Sequence, residues 1–436
     1  MTLRLLEDKS SSAASPSAES GRAIAALRTF FGDAYARGFS IALWDGTFVP
    51  ARGAERFVFC INDAGALRAL APPVDLAAGR AFAAGRIDVR GDVECAFETV
   101  IRAAGSLTPL RKMKLLFELQ SLPSHSMPTL REATLQGRPH SHVRDRAAIA
   151  HHYDRPVEFY ASFLDPELLY SCAYFDENVE TLERAQVAKL DYILRKLRLR
   201  AGESFLDVGC GWGALVLAAA RRGAIATGIT LSRQQYDEGS RRIVRAGCQD
   251  RARIVLRDYR ELGPARFDKI ASVGMFEHVG RARLPEYFKM VFEALEPGGL
   301  FLNHGIAIEG GSRTSGKCSG FMQQFIFPDG ELISISNALS YAQDAGFEVR
   351  DVENLREHYV RTLRAWVRNL ERNRHAAERA AGEQTYRAWR LYMAGSAQGF
   401  RMGRLGLFQS LLARRREDGG VGVPPTRNDL YRCAEW

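Results

Sequence analysis

The chain has no uninterrupted apolar run near the roughly 18 residues a helix needs to cross a bilayer, so no transmembrane helix is expected. It also lacks any CxxC pair. Its seven cysteines are widely scattered over 436 residues, which argues against a disulfide framework or a zinc site and points to the reducing cytosol. The opening "MTLRLLEDKSSSAASPSAESG" has no apolar core and reads as a disordered tail over residues 1–20, not as a signal peptide. Internal repeats are missing, as are zinc-finger, RNA-recognition and homeodomain patterns. Nucleic acid is therefore not expected as a partner, and a net charge of +9 points to an anionic partner such as a membrane surface or serves solubility alone.

What is present falls into segments. "GRAIAALRTFFGDAYARG" has helical periodicity, and "FSIALWDGTFVP" alternates through Asp45-Gly46 as a hairpin would. "ERFVFCIND" reads as a strand, and the stretch up to residue 108 ends in helix. Residues 21–108 thus form a small α+β domain. Residues 109–148 read as a basic linker, punctuated by Pro109, Pro123, Pro128 and Pro139, with one helix around Met113–Leu119. His140, His142, His151 and His152 lack a partner carboxylate pattern and are taken as structural or solvated. From about residue 149 to 412 the chain alternates strand and helix, which implies a doubly wound parallel sheet with ligands at the carboxyl ends of its strands. "FDKIASVGMFEHV" is its fourth strand, and residues 413–436 form a C-terminal extension.

The sharpest local signal is "LDVGCGWG", residues 206–213. Asp207 precedes a turn in which Gly209, Gly211 and Gly213 let backbone approach a ligand where a strand becomes a helix. The spacing is tighter than the dinucleotide fingerprint and suits S-adenosylmethionine, which has no pyrophosphate. A glycine turn that merely packs helix on sheet is the alternative. The second strand ends in "GITLSRQQ" without the acid expected to grip ribose, leaving Thr230, Ser232 and Gln235 to bond by neutral groups. Tyr259, at the end of the third strand, stands where an adenine ring would stack.

Taken together, "HYD" (152–154), "YSCAYFDE" (170–177), "TLERAQVAKLD" (181–191), "LDVGCGWG", "TLSRQQ", "SVGMFEHVG", "IFPDGEL" (326–332) and "HYVRTLRAW" (358–366) resemble the cyclopropane fatty acid synthases and the mycolic acid cyclopropane synthases. "SVGMFEHVG" and the N-terminal "AFAAGRIDVRGDVECAF" look most similar to the phospholipid-acting members. The resemblance implies a class I methyltransferase, with a Rossmann-like doubly wound α/β sheet, helical additions and an accessory N-terminal domain that engages lipid. It implies methyl transfer from S-adenosylmethionine to a cis double bond of a phospholipid acyl chain, closing a cyclopropane ring with bound bicarbonate as the base. Carried onto this sequence, the bicarbonate site is Glu277, His304 and Tyr359, with Cys172 and Val273 beside it. Glu277 is read as holding the anion, and His278 as a strand-end residue pointing the other way. Tyr170, Ser171, Cys210, Leu231 and Arg260 join the cofactor contacts, and no metal is implied. Tyr174, Phe175 and Phe276 are further aromatic candidates. Where some family members have a cysteine in the late helix this chain has Ser396, which puts a covalent role there in doubt.

An acyl chain inside a bilayer implies a cytoplasmic enzyme peripheral to the inner face of the membrane, and the family resemblance implies a homodimer. Arg111, Lys112 and Lys114 beside Leu115, Leu116 and Phe117 are one basic, apolar candidate for membrane contact, and the helix "RTLRAWVRNLERNRHAAER" is another. The rival readings are the same methyl transfer giving a methyl-branched or methylene product, a lipid-binding protein on a disabled methyltransferase fold, and a small-molecule methyltransferase.

Overall fold

The computed structural model describes residues 17–124, 128–177, 180–310, 315–317 and 319–431, so residues 1–16 of the expected tail lie outside them. The chain divides into two compact units between Leu130 and Arg131.

Among the described residues the first unit opens with a helix, Ala18–Phe31, which covers the segment expected to be helical and starts three residues earlier, within the expected tail; Ser17 caps it by accepting the amide of Ser20. The expected hairpin forms, Arg37–Leu43 pairing antiparallel with Phe48–Val49. The first of these strands also runs parallel to Arg52–Ile61, which in turn pairs antiparallel with Ile87–Gly91. Helix Pro109–Gln120, in the segment read as linker, starts with proline in its first turn behind a Thr108 cap. It packs on the first helix, with Leu115 and Leu119 buried.

The second unit is built on a seven-stranded sheet. We number its strands β1 (Ser204–Val208), β2 (Ile225–Thr230), β3 (Ala252–Leu256), β4 (Phe267–Val273), β5 (Leu295–Ile308), β6 (Glu348–Asn354) and β7 (Leu405–Ala413). Their spatial order is β6-β7-β5-β4-β1-β2-β3. The run from β3 to β5 is parallel, and β7 inserts antiparallel to both β5 and β6. Because strand side chains alternate between faces, neighbouring residues feed two separate cores. Phe205, Ala271, Leu302 and Leu411 join one with helices Leu182–Lys196 and Ala214–Arg221. Leu206, Ile270, Phe301 and Leu412 join the other with helix Leu284–Ala294. The strand order reverses beside β1, where an open α/β sheet places its ligand crevice.

Two expectations change here. The fourth strand does not run through Glu277: it stops at Val273, Gly274 turns at φ +70°, and Phe276–Val279 forms one helical turn. The amide of Gly274 donates to the carbonyl of His304 at 2.9 Å, fastening that turn to β5. The basic helix Arg356–Arg372 is no membrane surface on its apolar side, since Leu363, Trp366 and Leu370 are fully buried. The described part of the C-terminal extension packs on its own unit, with Leu430 buried and Asp429 paired to Arg198 at 2.7 Å.

Candidate active site

A cavity opens at the carboxyl ends of β1, β2 and β4, bounded by the turn after β1. That turn is left-handed at Gly209 (φ +79°), Gly211 (+52°) and Gly213 (+84°). The amides of Gly209 and Cys210 both donate to the carbonyl of Ile229 at 3.0 Å, which pins the turn to β2. A Cβ added at Gly213 would come within 2.7 Å of Ile254, so that glycine serves packing. A Cβ at Gly211 would meet nothing within 4 Å, so its bare backbone faces open space in the cavity.

Around this turn the cavity collects Tyr170, Ser171, Asp207, Cys210, Thr230, Leu231, Gln235, Tyr259 and Arg260, all expected from the sequence. Asp207 is buried, its Oδ1 has no partner among the described residues, and burial pushes its carboxyl up to about 7 against the pull of Lys189. Lys189 donates to Ser171 Oγ at 2.8 Å and is itself pushed down to about 8 by burial. Thr230 donates to Gln235 Oε1 at 2.7 Å. Arg260 is held between Asp258 (2.6 Å) and Asp145 (3.0 Å), so its charge is already matched. Ser232 does not line the cavity. It caps helix Arg233–Arg245 and donates to Asp154, because a β-region residue before a helix turns its hydroxyl to the free amides.

Sequence reasoning missed Lys189 and Tyr153. A lysine on the inward face of an amphipathic helix was the available signal for the first. His278 was misplaced, because the residue after Glu277 lies on a helical turn and not on a strand. It lines the cavity, and its Nε2 is 3.3 Å from Tyr153 Oη. Burial depresses His278 to about 4, so it is neutral at pH 7. The flanking histidines are structural: His151 and His152 face the carbonyls of Phe325 (3.2 Å) and Ile326 (2.9 Å), and His152 stacks on Tyr170.

Of the five residues expected at the reacting centre, only Val273 lines this cavity. His304 is its register partner on β5. Glu277 Oε1 accepts the amide of Ile306 at 2.6 Å, while Oε2 is buried without a partner among the described residues. Burial raises this carboxyl to about 7. His304 Nε2 is likewise buried and unpartnered, and its ring is held down to about 3, first by burial and then by Lys189 and Lys196. Tyr359 and Cys172 are buried, with phenol and thiol pushed up by burial. The Tyr359 phenol is raised further by its neighbours Tyr392, Cys172 and Glu277. Phe276 packs in the core against Gly305, and Tyr174 stacks on His358 4.8 Å away, so neither lines the cavity.

Residues 140–410 match the family of mycolic acid cyclopropane synthetases. The chain belongs to that family. It is 39% identical over 398 residues to a probable fatty acid methyltransferase of Pseudomonas putida, covering 90% of this chain and 96% of the relative. Among solved structures it resembles the cyclopropane synthase MmaA2 from Mycobacterium tuberculosis, at 31% identity and TM-score 0.58, over 61% of this chain and 97% of that one. The mycolic acid cyclopropane synthase CmaA1, complexed with SAH and CTAB, resembles it equally, at 32% identity and TM-score 0.58 over the same shares. This member is therefore an S-adenosylmethionine-dependent methyltransferase of the cyclopropane synthase family. Its own residues fit that cofactor: Gly211 leaves room where any side chain would intrude, and the orphaned Asp207 Oδ1 offers an acceptor to a bound donor.

Proposed function

We propose that the enzyme methylates a cis double bond in a phospholipid-bound acyl chain and closes a cyclopropane ring. The supporting observation is that Glu277 Oε2 and His304 Nε2 are both buried without partners, beside the Val273 wall of the cofactor cavity. Each such atom costs on the order of 1–3 kcal/mol unless something pairs with it. S-adenosylmethionine supplies an electrophilic methyl group. Glu277, His304 and Tyr359, with Cys172 nearby, would hold bicarbonate, which would supply a base for the ring-closing proton. A carboxyl pushed to about 7 is half protonated at neutrality, so Glu277 can donate to an anion that would repel an ionised glutamate. Its role is to hold and orient. Aromatic faces at Tyr170, Tyr153 and Tyr359 suit the positive charge that develops on the attacked chain.

The substrate lies in a membrane, and the face that meets it is helix Pro109–Gln120, where Leu110 is 75%, Met113 65% and Phe117 77% exposed beside Lys112 and Lys114. Arg111 and Leu115 take no part: the first donates to the carbonyls of Thr29 and Phe30, and the second is buried. The working form is a homodimer at the inner face of the cytoplasmic membrane. No helix among the described residues is long and apolar enough to cross that membrane.

The second reading is a methyl-branched or methylene product. The Pseudomonas putida relative, a probable fatty acid methyltransferase, supports methyl transfer to a fatty acid and leaves the product open. Expression in a bacterium lacking such enzymes, followed by mass spectrometry of its fatty acids, separates the two. A ring is expected, a branch or methylene supports the second reading, and unaltered fatty acids overturn both.

A further inference from the structure

Four residues in register form one row across the sheet: Glu353 on β6, Gln409 on β7, His304 on β5 and Val273 on β4. Residues in register share a face, so their side chains are neighbours. Lys196, at the end of helix Leu182–Lys196, reaches this row while only 1% exposed. Its ammonium donates to Gln409 Oε1 at 2.9 Å and to Glu353, lies 3.7 Å from Asp351, and sits 4.6 Å from the ring centroid of Tyr192. Tyr192 in turn donates to Glu353 at 3.0 Å. The lysine head is therefore fixed from several sides.

An ammonium has only donors to offer, so the oxygen of the Gln409 amide must face it; the opposite rotamer would set NH₂ against NH₃⁺. The NH₂ group then faces His304 Nδ1, 3.1 Å away. That contact is a hydrogen bond only if Nδ1 carries a lone pair, which leaves the single imidazole proton on Nε2. Gln409 is fully buried, so water cannot stand in for either contact.

We infer that Lys196 and Gln409 are positioning residues that lock His304 as the neutral Nε2–H tautomer, making it a hydrogen-bond donor to whatever occupies the site beside Val273. The depressed basicity of the ring agrees with a neutral imidazole. The donor role rests on the function proposed above, whereas the tautomer does not. An anion at this site receives a donor with its direction already set, as an oxyanion hole provides. A histidine free to present its lone pair would repel the same anion.

The test uses the full chain labelled with ¹⁵N-histidine, with His304 assigned by its disappearance in His304→Gln. Imidazole nitrogen shifts are expected to show Nε2 protonated and Nδ1 bare. In Gln409→Glu a carboxylate replaces the amide, still pairs with Lys196, and accepts from Nδ1. The proton should move to Nδ1, and kcat should fall by ~10²-fold, as on loss of one oxyanion-hole donor, with S-adenosylmethionine affinity unchanged. Wild-type protein with its proton on Nδ1, or a tautomer that Gln409→Glu does not move, overturns the inference. A moved proton with unchanged kcat leaves the tautomer assignment standing and overturns the donor role, and with it the reading of the site. Should Gln409→Glu fail to fold, Gln409→Met is expected to show both tautomers; a single Nε2–H form there overturns the positioning role of Gln409.

Discussion

Glu277 gives one carboxylate oxygen to the amide of Ile306 at 2.6 Å and leaves the other buried and unpaired. The bond ties the one-turn helix after β4 to the adjacent β5, two residues beyond His304. A single side chain thus fastens the backbone after β4 and keeps one buried oxygen unpaired among the described residues.

Replacing Glu277 by Gln should separate those two tasks. The amide oxygen still accepts from Ile306, so the fold survives, with a melting temperature within a few degrees of wild type. The titratable carboxyl is lost, but the amide NH₂ takes the place of Oε2 and still donates to an anion, so methyl transfer should fall by only about tenfold and keep its dependence on bicarbonate. Assays across bicarbonate concentrations, together with calorimetry of S-adenosylmethionine binding, check this. Full turnover independent of bicarbonate would refute the anion-holding role.

The same variant tests the raised carboxyl. With an ordinary value of 4.5 and a folded one of about 7, folded Glu277 keeps a proton that the unfolded chain sheds between those values. Its contribution to stability therefore falls as pH rises through that window, by on the order of a few kcal/mol. His278 and His304, held down to about 4 and 3, slope the other way below pH 6.5, and Asp207 slopes with Glu277. All three remain in Glu277→Gln. The melting temperature of wild type minus variant should accordingly drop by several degrees from pH 4.5 to 8, and a flat difference would contradict the raised value.

Two glycines of one turn should fail differently. Gly211→Ala places a methyl in open space at φ +52°, costing on the order of 1 kcal/mol of stability while reducing S-adenosylmethionine affinity at least tenfold. Gly213→Ala drives a methyl to 2.7 Å from Ile254 and should lower the melting temperature much further. Thermal melts and binding isotherms on both proteins would show whether cofactor and packing divide this way.

Gly305→Ala should disable the enzyme from the core. Its Cβ would lie 2.9–3.2 Å from Phe276, the residue before Glu277. Overpacking of this kind costs roughly 1–3 kcal/mol, but displacement of the Glu277 turn should reduce turnover more than tenfold. Gly305→Ala paired with Phe276→Leu should recover part of it.

Binding to anionic vesicles should depend on helix Pro109–Gln120. Lys112→Glu with Lys114→Glu should weaken it by roughly 1 kcal/mol per charge removed, and Phe117→Ser should weaken it further without loss of fold, since that ring is 77% exposed. Arg111→Ala should instead cost stability, because its guanidinium serves the carbonyls of Thr29 and Phe30. Vesicle sedimentation alongside thermal melts distinguishes the two effects.

What the sequence determined by itself is the glycine turn that bounds the cavity. Strand, glycine turn and helix are contiguous in "LDVGCGWG", and their geometry follows from short-range sterics, so the sequence alone places Asp207, Gly209 and Gly211 at one turn. The alternation that sends Phe205 and Leu206 to opposite cores is equally local. Direction at the reacting centre is not. Gly274 ends β4 early and turns His278 into the cavity, and Ser232 goes to Asp154, 78 residues away. Lys196 and Gln409 meet His304 only because β7 inserts beside β5, across 105 residues of chain between Gln409 and His304. The state of a buried polar group depends on which neighbours can donate and which can accept, and only the tertiary structure brings those neighbours together.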